Sequence, residues 1–254
     1  GFQSFPEPKT VRSYTLESDR NVTSPIMEFH QRGAHGNPNI MHYMLNWFRM
    51  PTGMENTLWL SQIQQGLSIK YAVEHWRRNM DRCRGALYWQ INDCWPVASW
   101  ASIDYFGRWK ALHYMARKFF APVLVSGVED EAEKSVAVHL SCDAAASFAG
   151  DVRWRLIDVD GRTVGSGSKK VRGKSDSTRL VTTLSFVREA ARMDLRNTML
   201  WLEACDRRGR VVSDNFVTFK TYKHIDLQPP ALKVTVTEKG ENRFALTIKT
   251  RRPA

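Results

Sequence analysis

No stretch of eighteen uncharged apolar residues occurs in the 254-residue chain, because Arg, Asn or Asp interrupts each of the longest apolar clusters; a transmembrane helix is excluded and no membrane partner is expected. Cysteine is scarce. The four residues Cys83, Cys94, Cys142 and Cys205 show no Cys-x-x-Cys spacing, which gives zinc or redox chemistry little support, and neither metal nor cofactor is expected. Acidic side chains are outnumbered, 26 against 37 Lys and Arg, for a formal net charge of +11. Such a bias could mark a nucleic acid or an acidic polymer. The basic residues are scattered, however, and no nucleic-acid motif accompanies them, so no nucleic-acid partner is expected. Lys169, Lys170, Arg172 and Lys174 form the densest group, in a Gly/Ser-rich stretch that reads as a solvated hairpin tip. An initiator Met is missing as well. With Gly1-Phe2-Gln3 at the start, the lack of a leader says nothing about a parent protein, and the N-terminus reads as cut.

What is present is a globular composition, 43% hydrophobic, in a chain long enough for one large or two ordinary domains. The first half reads as helical. Short helical character is expected from about Thr10 to Leu16, then a loop-rich stretch from Asn21 to Gly36. A helix over Asn39 to Phe48 follows from the spacing of Ile40, Tyr43, Met44 and Trp47. The longest helix is expected from about Glu55 to Arg82, with Arg77, Arg78 and Arg82 in its final turns, where the helix dipole favours cations. A strand, Ala86 to Gln90, and a helix, Trp109 to Phe119, complete this half. Beyond Pro122 the chain alternates with period two at 135–142, 152–157, 179–186, 198–205 and 215–221, the pattern of a β-sandwich. Cys142, Trp154 and Cys205 imitate the order found in antibody-like sandwiches. Parity argues against a bridge, since Cys142 shares a face with Val136, Val138 and Leu140 whereas Cys205 shares one with Glu203; free thiols are expected. After Asp226-Leu227-Gln228-Pro229-Pro230, strands at 232–237 and 244–250 read as the first hairpin of a second sandwich cut short at Ala254.

The most informative words lie between the halves. Four tryptophans fall within residues 89 to 109, where Ala86-Leu87-Tyr88-Trp89 runs into the polar loop Gln90-Ile91-Asn92-Asp93-Cys94-Trp95-Pro96. Indoles beside amides and carboxylates at a strand end suit a surface that stacks flat hydroxylated rings, and sugars fit that description best. Two runs, Arg84-Gly85-Ala86-Leu87-Tyr88-Trp89-Gln90-Ile91-Asn92-Asp93-Cys94-Trp95-Pro96 and Ser102-Ile103-Asp104-Tyr105-Phe106-Gly107-Arg108-Trp109-Lys110-Ala111-Leu112-His113-Tyr114, closely resemble the end of the catalytic barrel in β-mannosidases of glycoside hydrolase family 2. Tyr43-Met44, Phe48-Arg49, Leu60-Ser61-Gln62, Trp76-Arg77-Arg78 and Gly1-Phe2-Gln3-Ser4-Phe5-Pro6 resemble the same family. The likeness covers about residues 1 to 125; beyond that it is one of architecture.

The resemblance implies an α+β multidomain chain: the C-terminal part of a TIM (β/α)8 barrel over 1–121, an immunoglobulin-like β-sandwich over 122–225, and a linker with the first hairpin of a truncated second sandwich over 226–254. It implies a retaining exo-glycosidase that releases terminal β-linked mannose with two glutamates whose carboxyls lie about 5–5.5 Å apart. Neither glutamate matches a residue here. The family pattern places the nucleophile two residues before Gly1, so the remainder of a parent enzyme is an implied partner and the fragment alone is expected to be inactive. Ala86 to Gln90 becomes the eighth barrel strand, with Trp89 the floor of the mannose subsite and Asn92, Asp93 and Trp95 its rim. Each of these has an ordinary alternative: a core indole at Trp89, an ion-pair or loop-capping role for Asp93, and loop packing for Trp95 and Trp100. Trp109 reads as core. Glu28 is a rival catalyst, but it sits in a Pro, Gly and His-rich loop without a partner carboxylate. His30, His35 and His42 lack helical ligand spacing, and the glycosylation triplet Asn21-Val22-Thr23 carries little weight. The competing class is a noncatalytic carbohydrate-binding or scaffold module.

Overall fold

The computed structural model describes residues 2–143, 145 and 147–253; Gly1 and Ala254, where the cut ends were expected, lie outside them. Five helices build the first half: α1 (Pro8–Val11), α2 (Pro25–Phe29), α3 (Gly36–Trp47), α4 (Met54–Arg78) and α5 (Ala111–Phe119). Pro8 and Pro25 occupy first-turn positions, where a missing N–H costs nothing, and Ser24 caps α2 by accepting from the Met27 N–H. Helices α4 and α5 pack closely because Gly66 carries no side chain: a Cβ there would lie 2.4 Å from Met115 Sδ. Ile69, Val73, Leu112, Ala116 and Phe119 fill that contact, while Phe5, Met27, Ile40, Leu58 and Ala98 form a second small core.

The second half is a two-layer sandwich. Strands β1 (Val123–Asp130), β2 (Ser135–Cys142) and β5 (Ser177–Ser185) make one sheet in the order β1-β2-β5. Strands β3 (Phe148–Asp158), β4 (Thr163–Gly173), β6 (Thr198–Asp206) and β7 (Val211–Thr218) make the other, ordered β4-β3-β6-β7. Every pairing is antiparallel, and a one-turn helix α6 (Val187–Ala190) links β5 towards β6. Val125, Val138, Leu140, Leu156, Leu200 and Leu202 close a continuous core between the sheets, each contributing about 1.5–3 kcal/mol by burial. The last hairpin, β8 (Lys233–Glu238) with β9 (Phe244–Lys249), stands apart with both faces open.

A buried guanidinium helps to join the halves. Arg77 Nη1 donates to the carbonyls of Phe119 and Ala121, both at 2.7 Å, and Nη2 pairs with Asp143 at 2.9 Å, so the end of α4 holds the end of α5 and the exit of β2. Beside it, buried Glu74 accepts from Asn215 Nδ2 at 2.8 Å and pairs with Lys70 at 3.2 Å.

Several expectations change. Helix α4 ends at Arg78 rather than Arg82, because the Asn79 side chain bonds the His75 carbonyl and draws the backbone out of the helix. The helix expected over Thr10 to Leu16 lies earlier, at Pro8–Val11. Ala86 to Gln90 is not a strand: among the described residues its stretch has no ladder partner, and Gln90 bonds through its backbone to Trp100 and Ser102. Lys169 to Arg172 belong to the edge strand β4, not to a hairpin tip, and β1 adds a strand the alternation did not reveal. Cys142 and Cys205 are both free and both buried. Cys205 keeps the parity of Glu203, paired with Asp151 and outside the inter-sheet core that holds Cys142, and its carbonyl presses on Gly150, where a Cβ would sit 1.9 Å away.

Candidate functional site

The tryptophan loop is held from three sides by backbone bonds. Gln90 N donates to Trp100 O at 3.2 Å and Ser102 N to Gln90 O at 3.0 Å, so the two arms of the loop run together. Ser4 and Ser99 exchange both backbone bonds, at 2.9 and 3.2 Å, and Ala98 N donates to His30 O at 2.8 Å. The chain then reverses at Asp104, whose carboxylate accepts from the N–H groups of Phe106 and Arg108 and from the Thr10 hydroxyl. Gly107 sits at φ +80° within this turn, a conformation that side chains resist. The reversal returns Lys110 N to Ser102 O at 2.9 Å.

Beneath the loop lies a buried ionic cluster. The Lys110 ammonium is fully enclosed and donates to the carbonyls of Ser4 and Ser99, at 3.3 and 3.5 Å. Burial pushes it down to about 7, against the pull of Asp93, Asp104 and Glu7. Burial likewise raises Asp93 above the usual carboxylate range, opposed by hydrogen bonds from Ser99 and Gln90 and by the Lys110 charge.

Above this cluster the indole of Trp89 is 67% exposed. The Trp89–Gln90 peptide is cis. Asn92 is exposed too, and its side-chain amide makes no hydrogen bond among the described residues. Asp93 is enclosed, with one oxygen taken by Gln90 Nε2 at 3.2 Å and the other by Ser99 Oγ at 2.9 Å, the geometry of a residue that organises its loop. Trp95 stacks on His30, 5.0 Å between centroids, and meets Phe29 edge-on. Among the described residues no ring contact joins it to Trp89. Trp109, expected in a core, is 43% exposed and leans edge-on against His113 and Tyr114. Glu28 is exposed on α2, with no ion pair or side-chain hydrogen bond among the described residues.

The sequence reading missed Lys110, Ser99 and Asp104 as the supports of this loop. A signal existed for Lys110: a cation immediately before a helix opposes the helix dipole and needs a compensating reason. Among the described residues no group of three or more His, Cys, Asp or Glu is arranged to hold a metal ion, and no helix is long and apolar enough to cross a membrane. The arrangement presents an open indole face with the exposed, unbonded amide of Asn92 close in sequence, chemistry that can stack a sugar ring and bond its hydroxyls.

Residues 134–224 match the Mannosidase Ig/CBM-like domain. A β-mannosidase of Mus musculus is 37% identical over 144 residues, 52% of this chain and 16% of that protein. β-Mannosidase B of Emericella nidulans is 26% identical across the whole chain, which covers 32% of it. The crystal structure of a β-D-mannosidase from Dictyoglomus thermophilum superposes with a TM-score of 0.88 at 26% identity, covering 99% of this chain and 30% of that one. The chain thus spans a third or less of the length of each of these relatives. It is a homologue of the β-mannosidases of glycoside hydrolase family 2, with a mannosidase immunoglobulin-like domain at residues 134–224.

Proposed function

We propose that the chain is part of a retaining exo-β-mannosidase that removes terminal β-D-mannose from oligosaccharides or glycoconjugates. In this reading residues 1–121 are the C-terminal part of its TIM barrel, 122–225 the immunoglobulin-like sandwich, and 226–254 a linker and the first hairpin of a further sandwich. Trp89 is the floor of the mannose subsite. Asn92 and Trp95 border it, and Asp93 acts from beneath by fixing Gln90 and Ser99. The observation that carries the reading is the open indole of Trp89 at the end of an extended segment, the end at which barrel enzymes bind substrate.

A second support is the row Leu87, Trp89 and Ile91, all exposed on one side, while Ala86, Tyr88 and Gln90 on the other are half-buried. Such an apolar row suits a strand whose neighbours belong to the rest of the barrel. Retention requires two carboxylates facing one bond, and Glu28 stands alone; both catalytic glutamates therefore lie on that remainder. Two measurements test the reading. The 254 residues alone should hydrolyse no aryl β-mannoside, and turnover abolished by Glu28→Gln would refute the placement of the nucleophile. In the longer enzyme, Trp89→Ala should lower kcat/KM by about 10- to 100-fold while unfolding at an unchanged temperature, as expected for the loss of one stacked ring. Unaltered kinetics would remove Trp89 from the subsite.

A further inference from the structure

The edge of the sandwich far from the tryptophan loop in sequence carries an unexplained charge pattern. Antiparallel register sets Arg153 opposite Ser168 and Arg155 opposite Ser166, and continues with Asp151 opposite Lys170 and Ala149 opposite Arg172. The exposed members of this set share the outer face of the four-stranded sheet, because Val152, Leu156 and Val171 fill the inner one. Two shallow recesses lie along it. One, of about 620 Å³, is lined by Asp151, Lys170, Arg172, Arg179 and Arg207; the other, of about 470 Å³, by Arg153, Arg155, Ser166, Ser168, Trp201 and Glu203.

Five basic side chains of this sheet and its β6–β7 turn, joined by Arg179 from β5 of the neighbouring sheet, therefore line the two recesses with two acids. Among the described residues Arg153, Arg155, Lys170, Arg172 and Arg207 make neither an ion pair nor a side-chain hydrogen bond, so their charge is uncompensated. Five of the six are arginines, whose planar fork fits a carboxylate better than a lysine does. Trp201 lies at one end, its Nε1 donating to Glu203 at 3.2 Å and its ring stacked on Phe216, which fixes the indole as a platform. Serine hydroxyls stand between the cations.

We propose that this face of β3, β4 and β6 binds an acidic oligosaccharide, a chain of hydroxylated rings bearing uronate carboxylates. The face extends from Arg155 to Ala149, about 20 Å of strand, enough for several rings. Charge complementarity selects the occupant. A nucleic acid carries a phosphate at every residue and favours successive aromatic platforms; here Asp151 and Glu203 interrupt the cations and a single indole is offered. A glycan with carboxylates spaced by neutral rings matches both the interruptions and the serines. The site is independent of Trp89 and of mannoside hydrolysis.

The test titrates the full 254-residue chain with an oligogalacturonate, a neutral manno-oligosaccharide of equal length, and a single-stranded oligothymidylate. The uronate should bind, and raising salt from about 50 to about 300 mM should weaken it at least tenfold, as screening requires. Arg153→Ser with Arg155→Ser, and separately Lys170→Gln with Arg172→Gln, should each weaken it about tenfold, with thermal unfolding unchanged because all four side chains are exposed. Trp201→Ala should weaken the uronate about tenfold by removing the stacking platform. No uronate binding, binding indifferent to both double variants, or oligothymidylate binding as tight as the uronate would overturn the proposal.

Discussion

The sandwich and the helical half solve burial in opposite ways. In the sandwich the inward side chains are almost wholly aliphatic, and two sheets cover one another without outside help. In the helical half Ser61, Gln62, Gln65, Asp93, Asp104 and Lys110 are enclosed while Leu87, at 99% exposure, and Trp89 face outward. A fold that hides lysine and shows leucine is arranged around something other than its own core. Its polar interior holds a loop in position, and its apolar row at Leu87, Trp89 and Ile91 is left uncovered by the described residues. The difference separates a half whose apolar side chains cover one another from a half whose enclosed polar side chains hold a loop.

The contrast can be broken at its strongest point first. Leu202→Ala in the sandwich should cost about 2–5 kcal/mol in urea unfolding, by lost burial and a cavity between sheets that cannot collapse. Arg77→Met comes next. It strips the carbonyls of Phe119 and Ala121 of their donor and leaves Asp143 unpaired, so about 2–4 kcal/mol should be lost. Separate unfolding transitions for the two halves in that variant would show that Arg77 is what makes them cooperate.

A pH series sharpens the polar half of the comparison. Burial lowers Lys110 to about 7 in the folded chain, whereas the unfolded lysine titrates near 10.4, so between these values the unfolded state binds the extra proton. Stability from this group is therefore complete above about pH 10 and falls as pH drops towards 7. Lys110→Met should flatten that slope in denaturation midpoints measured from about pH 7 to 9. An identical slope in the variant would assign it to other groups. The smallest effect belongs to Leu87→Ser, within about 0.5 kcal/mol in the 254 residues because nothing covers the side chain. A large loss there would mean that the apolar row is already covered, and would erase the distinction between the halves.

Legibility in the sequence divides along the same line. Strand positions such as 135–142 and 198–205 were readable because period two needs only a buried and an open face, which the sandwich supplies itself. The edge strand β4 was hidden by composition: Gly165, Gly167, Ser166 and Ser168 look like a turn, yet pairing with β3 makes them a strand. Trp89 could be named from its neighbours in sequence. The Lys110 support could not, since Ser4, Asp93, Ser99 and Asp104 converge on it only after folding, and nothing periodic links them. Ala86 to Gln90 failed as a strand for a related reason, because ladder hydrogen bonds require neighbours that the described residues do not place beside it.

Helix α5 touches both halves of the molecule. Its first residue follows Lys110, pinned under the tryptophan loop, and its last carbonyls are gripped by Arg77 at the root of the sandwich. Nine residues of helix, roughly 14 Å, thus act as a rigid strut between the tryptophan loop and the sandwich. Strain applied to one has a mechanical route to the other, and a graft that swaps the sandwich must keep this strut seated or disturb the loop it braces.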